Sequence, residues 1–123
     1  MENKLLFVYG TLKRGFGNNR LINHTKFIGT AISVDKYYVD GWGFPCASLN
    51  KNGKLLQGEI YELTERDFIS TDMLESIGFL YQREIKKFNL NGEDLESWIY
   101  IIIDPVTHPY KTDSDVINWK NGY

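Results

Sequence analysis

Two stretches of this 123-residue chain hold side chains whose types and spacing suit chemistry. The first is Tyr9-Gly10-Thr11-Leu12-Lys13-Arg14-Gly15, which interrupts an apolar run with a glycine, a hydroxyl and two cations. Backbone N–H groups around Gly10, Thr11 and Leu12 can form a concave anion site at a strand end, with Gly10 permitting the turn and the close approach of a ligand, and a carboxylate suits such a nest. The same residues also fit a strand-end turn with solvated Lys13 and Arg14. A P-loop is a poor description, because no Lys-Ser or Lys-Thr follows Gly15 to supply phosphate and Mg²⁺ ligands. The second stretch is Asp72-Met73-Leu74-Glu75. Carboxylates three apart share a helix face, so one can serve as a general base with a like charge beside it to raise its pKa.

Other reactive side chains carry less. His24 and His108 have no Cys or paired carboxylate at ligand spacing, so no metal site is expected. Cys46 has no locatable His partner and reads as a small core residue. The aromatic residues at 37, 38, 42, 98, 100 and 119 suit core packing, with one or two left to line a pocket.

The elements that must position these groups follow from periodicity. Leu5-Leu6-Phe7-Val8 is short and apolar throughout, the signature of a strand buried on both faces. Residues 27–34 predict a second strand, and Tyr37-Tyr38-Val39 opens a third. Residues 45–49, the Asn50–Lys54 turn and residues 55–61 read as a hairpin. Thr64 to Asp67 fits a capping box, followed by Phe68, Ile69, Met73, Leu74 and Ile77 at helical spacing; a helix over about 65–76 results, with Gly78 as its cap. On that apolar face Glu75 points away from the core, and it reaches an interior pocket only where the helix ends or bends. Residues 81–88 and 98–103 flank Asn91-Gly92 and read as a hairpin. Beyond Asp104 the chain predicts an irregular tail with one helical turn near Val116–Trp119. The sum is one α+β domain over 1–123, a small mixed α/β domain dominated by strands and curled toward a β-barrel that protects its edges.

Composition narrows the partners. A formal charge of −2 leaves no basic excess for nucleic acid or an anionic membrane, and no run of eighteen apolar residues appears. A lone cysteine cannot make an internal disulfide, and with no signal h-region the expected compartment is the reducing cytoplasm. Seven Phe, eight Tyr and three Trp suit a β-rich core or a small-molecule pocket.

Taken in order, Phe7 to Gly15, Gly58-Glu59-Ile60-Tyr61, Asp72-x-x-Glu75 and Tyr81-Gln82-Arg83 resemble the γ-glutamylcyclotransferase-like (AIG2-like) superfamily, and within it the γ-glutamylamine cyclotransferase branch. The resemblance covers about residues 5–88. It implies a barrel with its pocket at the end of the first strand. It also implies an enzyme in which the substrate's own α-amino group attacks its γ-glutamyl amide, giving 5-oxoproline and a free amine, with no metal and no organic cofactor. Tyr9, Gly10, Thr11 and Leu12 would hold the glutamyl group, Glu75 would be the general acid/base, and Tyr81 would support Glu75 or line the pocket. Arg83 reads as structural, paired with a carboxylate or carbonyl. The chain departs from the branch pattern at Thr71, Ser76 and Gly78, where leucine, glycine and proline are usual. The alternatives are a cyclotransferase for γ-glutamyl amino acids or glutathione-like peptides, and a non-catalytic protein that binds a small metabolite on the same fold.

Overall fold

The structure is a computed structural model, and it describes residues 3–41, 45–75, 78 and 80–120. Among these residues seven strands, one α-helix and one 3₁₀ helix follow each other as β1 (Leu5–Val8), the 3₁₀ helix (Gly17–Leu21), β2 (Lys26–Val39), β3 (Ala47–Leu49), β4 (Lys54–Glu62), α1 (Glu65–Leu74), β5 (Tyr81–Leu90), β6 (Glu93–Ile102) and β7 (Val116–Ile117). The pairings β2–β5, β5–β6, β6–β1, β1–β4 and β4–β2 close a five-stranded barrel, and β3 and β7 extend it beside β2 and β4. Closure removes the open edges that a sheet of this size would expose.

β1 is buried on both faces, as its apolar run predicts, because it lies between β4, antiparallel, and β6, parallel. Phe7 and Tyr9 join the cluster that fills the barrel, where Phe7 stacks on Phe88 with ring centroids 4.1 Å apart. Leu6 and Val8 face the other way, into a second cluster with Phe68 of α1. Gly58 makes this packing possible: a Cβ there would lie 2.3 Å from the Val8 carbonyl oxygen and 2.6 Å from Cζ of Phe7.

The Asn91-Gly92 hairpin is present, with φ of 54° and 88° at its two central residues, the positive pair that a type I′ turn requires. Four expectations are corrected. The two strands predicted across 27–39 are one 14-residue strand, β2, with register shifts between Phe27 and Gly29 and between Ile32 and Lys36; the irregularities bend it so that it can pair with β3, β4 and β5. The predicted 45–61 hairpin has its strands and its turn, but β3 and β4 both pair with β2 instead of with each other. The tail is not a helical turn: β7 pairs in parallel with β4, and Trp119, 1% exposed, fills the barrel core. The buried face of α1 is not the apolar set, since Ile69 and Met73 are 62% and 76% exposed while Phe68 and Thr71 are buried. Among the described residues no helix is long and apolar enough to cross a membrane.

Candidate active site at the end of the first strand

Where β1 ends, the chain turns. The Lys13 N–H donates to the Gly10 carbonyl at 3.1 Å, and successive bonds from Phe16 to Lys13 and from Asn19 to Phe16 carry the chain into the 3₁₀ helix. Gly10, Thr11 and Leu12 line a cavity of about 200 Å³, together with Asn18 of the 3₁₀ helix, Pro45, Leu74, Glu75 and Tyr100. That volume suits a ligand of amino-acid size.

Gly10 stands in the turn and lines the cavity, and it also makes room for the cavity wall. Its φ is not positive; the left-handed residue of the loop is Gly15, at 88°. What Gly10 provides is space, since a Cβ on it would lie 2.4 Å from Cβ of Pro45. Lys13 is also not solvated. It is 6% exposed, and its Nζ donates to Oδ1 of Asn118 and to the Trp119 carbonyl, both at 2.7 Å. Arg14 lies over the Phe27 ring, 3.7 Å from its centroid, and its N–H donates to Oε1 of Glu59 at 2.9 Å. The two cations therefore tie the loop to the barrel wall and to the tail.

Opposite the loop stands Glu75. The capping box predicted for α1 forms, with Thr64 Oγ1 accepting from the Asp67 N–H at 3.2 Å and Asp67 Oδ2 accepting from the Thr64 N–H at 3.0 Å. The helix ends at Leu74, two residues short of the expected boundary, with Glu75 as its C-cap; Ser76 and Ile77 lie outside the described residues. Gly78 has a φ of 88° but does not cap the helix, since its N–H donates to the Tyr81 carbonyl in the turn that enters β5. The helical face toward the barrel is Phe68, Thr71, Asp72 and Glu75, an i, i+3, i+4, i+7 row, which brings Glu75 to the cavity. Burial pushes its carboxyl up to about 7. A carboxylate at a helix C-terminus also meets the negative end of the dipole, which acts in the same direction.

Asp72 is not the source of that shift. Arg83 grips it bidentately, Nε to Oδ1 at 3.0 Å and Nη2 to Oδ2 at 3.1 Å, which is the structural pairing expected for Arg83. The guanidinium is held between Phe68 and Trp98, 4.5 and 4.4 Å from the ring centroids. Tyr100 donates to Asp72 Oδ1 at 2.5 Å, and its hydroxyl lies 2.7 Å from Thr71 Oγ1. Thr71, where the branch carries leucine, thus holds a polar link to the pocket wall.

The tyrosines surround Glu75 as neutral phenols. Tyr9 donates to the Tyr100 carbonyl at 2.9 Å, and burial, with Tyr81 and Glu75 nearby, raises its pKa well above the ordinary value. Tyr81 donates to the Pro45 carbonyl at 3.2 Å and is raised by burial and by Glu75. Tyr9, Gly10, Thr11, Leu12, Tyr81 and Glu75 are therefore all gathered at one end of the barrel, with the Tyr9 hydroxyl turned to the wall. Asn18, Pro45 and Tyr100 were not singled out from the sequence. Asn18 sits in a stretch that reads only as loop, Pro45 in one that reads as a strand start, and Tyr100 in a β-branched run. Cys46 is buried beside the site, its thiol pushed up to about 11 by burial. His24 is bonded to Asp67 at 2.8 Å, away from the cavity.

Comparison with known proteins places the chain in a family. Residues 6–121 match the model of the family described as gamma-glutamyl cyclotransferase, AIG2-like, so the likeness extends well past residue 88 and into the tail. A Methanocaldococcus jannaschii protein that bears a provisional gamma-glutamylcyclotransferase name is 32% identical over 97 residues, 77% of this chain and 81% of its own. Human gamma-glutamylaminecyclotransferase is 32% identical over 95 residues, 70% of this chain and 62% of that protein. The crystal structure of a mouse AIG2-like protein superposes with a TM-score of 0.71 over 90% of each chain at 24% identity. The chain belongs to the gamma-glutamyl cyclotransferase, AIG2-like family.

Proposed function

We propose that the protein is a γ-glutamylamine cyclotransferase that releases 5-oxoproline and a free amine, with Glu75 as its general acid/base. The observation that carries this reading is a half-buried carboxyl, raised to about 7, facing the Gly10–Leu12 loop across a cavity of amino-acid size. In the reaction Glu75 takes a proton from the substrate's α-ammonium. The freed amine nitrogen bonds to the γ-carbon and gives up a second proton as the tetrahedral intermediate collapses; the amide C–N bond breaks, and both protons pass by way of Glu75 to the departing nitrogen, which leaves as an ammonium. Backbone donors of the loop steady the oxyanion that forms on the γ-carbonyl. A base whose pKa lies near the working pH accepts and returns the proton with little penalty, a role worth about 10²–10⁴-fold in rate. The nucleophile belongs to the substrate, so the cavity's main task is to fold the glutamyl chain into contact, where effective molarities reach about 10⁵–10⁸ M.

The amine preference has its own support. No Lys, Arg or His occurs among the described residues that line the cavity, and Leu74 and Pro45 form its apolar side. A leaving α-amino acid would carry its carboxylate one carbon from the scissile nitrogen, close to Glu75 with no cation to meet it. The ε-amine of lysine keeps its charges at the far end of a four-carbon chain. Incubation with Nε-(γ-glutamyl)lysine, γ-glutamylalanine and glutathione, with 5-oxoproline followed by mass spectrometry, tests this. Turnover of the first alone is expected. Faster turnover of either of the others overturns the amine preference, and no product from any overturns the enzyme reading.

A further inference from the structure

Two polar side chains in the cavity wall form a pair with free valences of opposite kind. Asn18 Nδ2 donates to Thr11 Oγ1 at 2.8 Å. A threonine hydroxyl that accepts a bond still has its own proton to give, and an asparagine whose amide nitrogen is engaged still has a carbonyl oxygen to accept. Among the described residues nothing accepts the Thr11 proton and nothing donates to Asn18 Oδ1, while both residues line the cavity. The next residue fixes this arrangement: Asn19 Nδ2 donates to the Leu12 carbonyl at 2.8 Å and to the Tyr61 hydroxyl at 3.2 Å, locking the 3₁₀ helix onto the loop.

A glutamyl substrate presents the matching valences. Its α-carbon carries an ammonium, which needs an acceptor, and a carboxylate, which needs donors. The described cavity wall holds no cation for the carboxylate, and its one carboxyl, Glu75, is engaged as the base. We propose that Thr11 and Asn18 read the α-amino-acid end of the substrate, the Thr11 hydroxyl donating to the α-carboxylate and Asn18 Oδ1 accepting from the α-ammonium. Asn18 then sets the direction from which the amine approaches the γ-carbon. This assignment rests on the cyclotransferase reading and deepens it by naming the groups that select an L-α-amino acid.

The test is binding of three γ-amides by NMR titration: L-glutamine, glutaramate, which lacks the α-amine, and 4-aminobutanamide, which lacks the α-carboxylate. The wild-type protein is expected to bind L-glutamine roughly tenfold to a hundredfold more tightly than either analogue, the range one charged hydrogen bond supplies. Asn18→Ala loses the preference over glutaramate and keeps that over 4-aminobutanamide. Thr11→Val does the reverse, and Thr11→Ser behaves as wild type. Asn18→Asp separates ligand reading from loop support, since it retains the acceptor but not the donor to Thr11; it is expected to keep the preference over glutaramate. Equal weakening of all three ligands in Asn18→Ala, the same behaviour in Asn18→Asp as in Asn18→Ala, or no discrimination by the wild type overturns the assignment. Turnover of Nε-(γ-glutamyl)lysine is scored in parallel. Product without discrimination sinks the Asn18 assignment alone, and discrimination without product sinks the cyclotransferase reading alone.

Discussion

Lys13 Nζ donates to the main-chain carbonyl of Trp119 at 2.7 Å, joining the loop that lines the cavity to a residue 106 positions later. The same ammonium donates to Asn118 Oδ1, and Phe16, one turn on, packs against the Trp119 ring at 5.3 Å. The tail is therefore a structural support of the loop.

Lys13→Met keeps the aliphatic stem and removes the donor. It is expected to cost about 1.5–3 kcal/mol, the range for hydrogen bonds from a charged group, and to speed amide exchange at residues 116–119 while leaving β5 and β6 unchanged. Chemical denaturation with site-resolved hydrogen exchange checks it. Uniform exchange across the barrel would contradict the local support.

Gly10 and Pro45 meet with no room for a methyl group between them. Gly10→Ala should destabilise by about 1–3 kcal/mol and depress turnover by displacing the loop. The contact is specific, so Pro45→Gly should cost less in the Gly10→Ala background than in the wild type, a coupling of about 1 kcal/mol or more in a double-mutant cycle. Strict additivity would place the cost of Gly10→Ala elsewhere.

Asp72 and Arg83 form a partly buried pair whose guanidinium is held between two rings. Asp72→Ala strands that cation and should cost about 3 kcal/mol, whereas Asp72→Ala combined with Arg83→Met should be more stable than Asp72→Ala alone. Thermal melts of the three variants decide it, and a double variant less stable than Asp72→Ala would contradict the stranded-charge account.

Glu75 links stability to pH. Its folded pKa, about 7, exceeds the ordinary 4.5, so the folded state binds the proton more tightly than the unfolded chain does. The stability this contributes is fully present below pH 4.5 and is lost as pH rises through 7. Glu75→Gln, which never ionises, is therefore expected to be more stable than wild type at pH 8, by about 1–3 kcal/mol, and equal to it at about pH 4. The acid limb of kcat/KM in the wild type should fall near pH 7. Equal melting temperatures at pH 8 would show that the carboxyl is solvated.

The sequence exposed those parts of the fold whose local pattern and tertiary role coincide. Leu5–Val8 is apolar because both of its faces are covered, and Asn91-Gly92 supplies the two positive φ angles its turn demands. The capping box of Thr64 and Asp67 belongs to the same class. Where tertiary partners override local pattern, the reading failed. The inward face of α1 carries Thr71 and Asp72 because Tyr100 and Arg83 satisfy them from strands, and Glu75 because it ends at the cavity, while Ile69 and Met73 face solvent. Lys13 reads as solvated until its acceptors arrive from residues 118 and 119. Glu75 and the Gly10–Leu12 loop were legible as chemistry; Asn18 and Tyr100 were not, since their role depends on which neighbour occupies each hydrogen-bonding atom.

The most direct measurement is 5-oxoproline formation from Nε-(γ-glutamyl)lysine by the wild type and by Glu75→Gln, with folding of both verified by circular dichroism. The wild type is expected to form 5-oxoproline and lysine in equal amounts, and Glu75→Gln to be slower by about 10²-fold or more. A folded Glu75→Gln variant with turnover near that of wild type would contradict the assignment of Glu75 as the group that moves the proton.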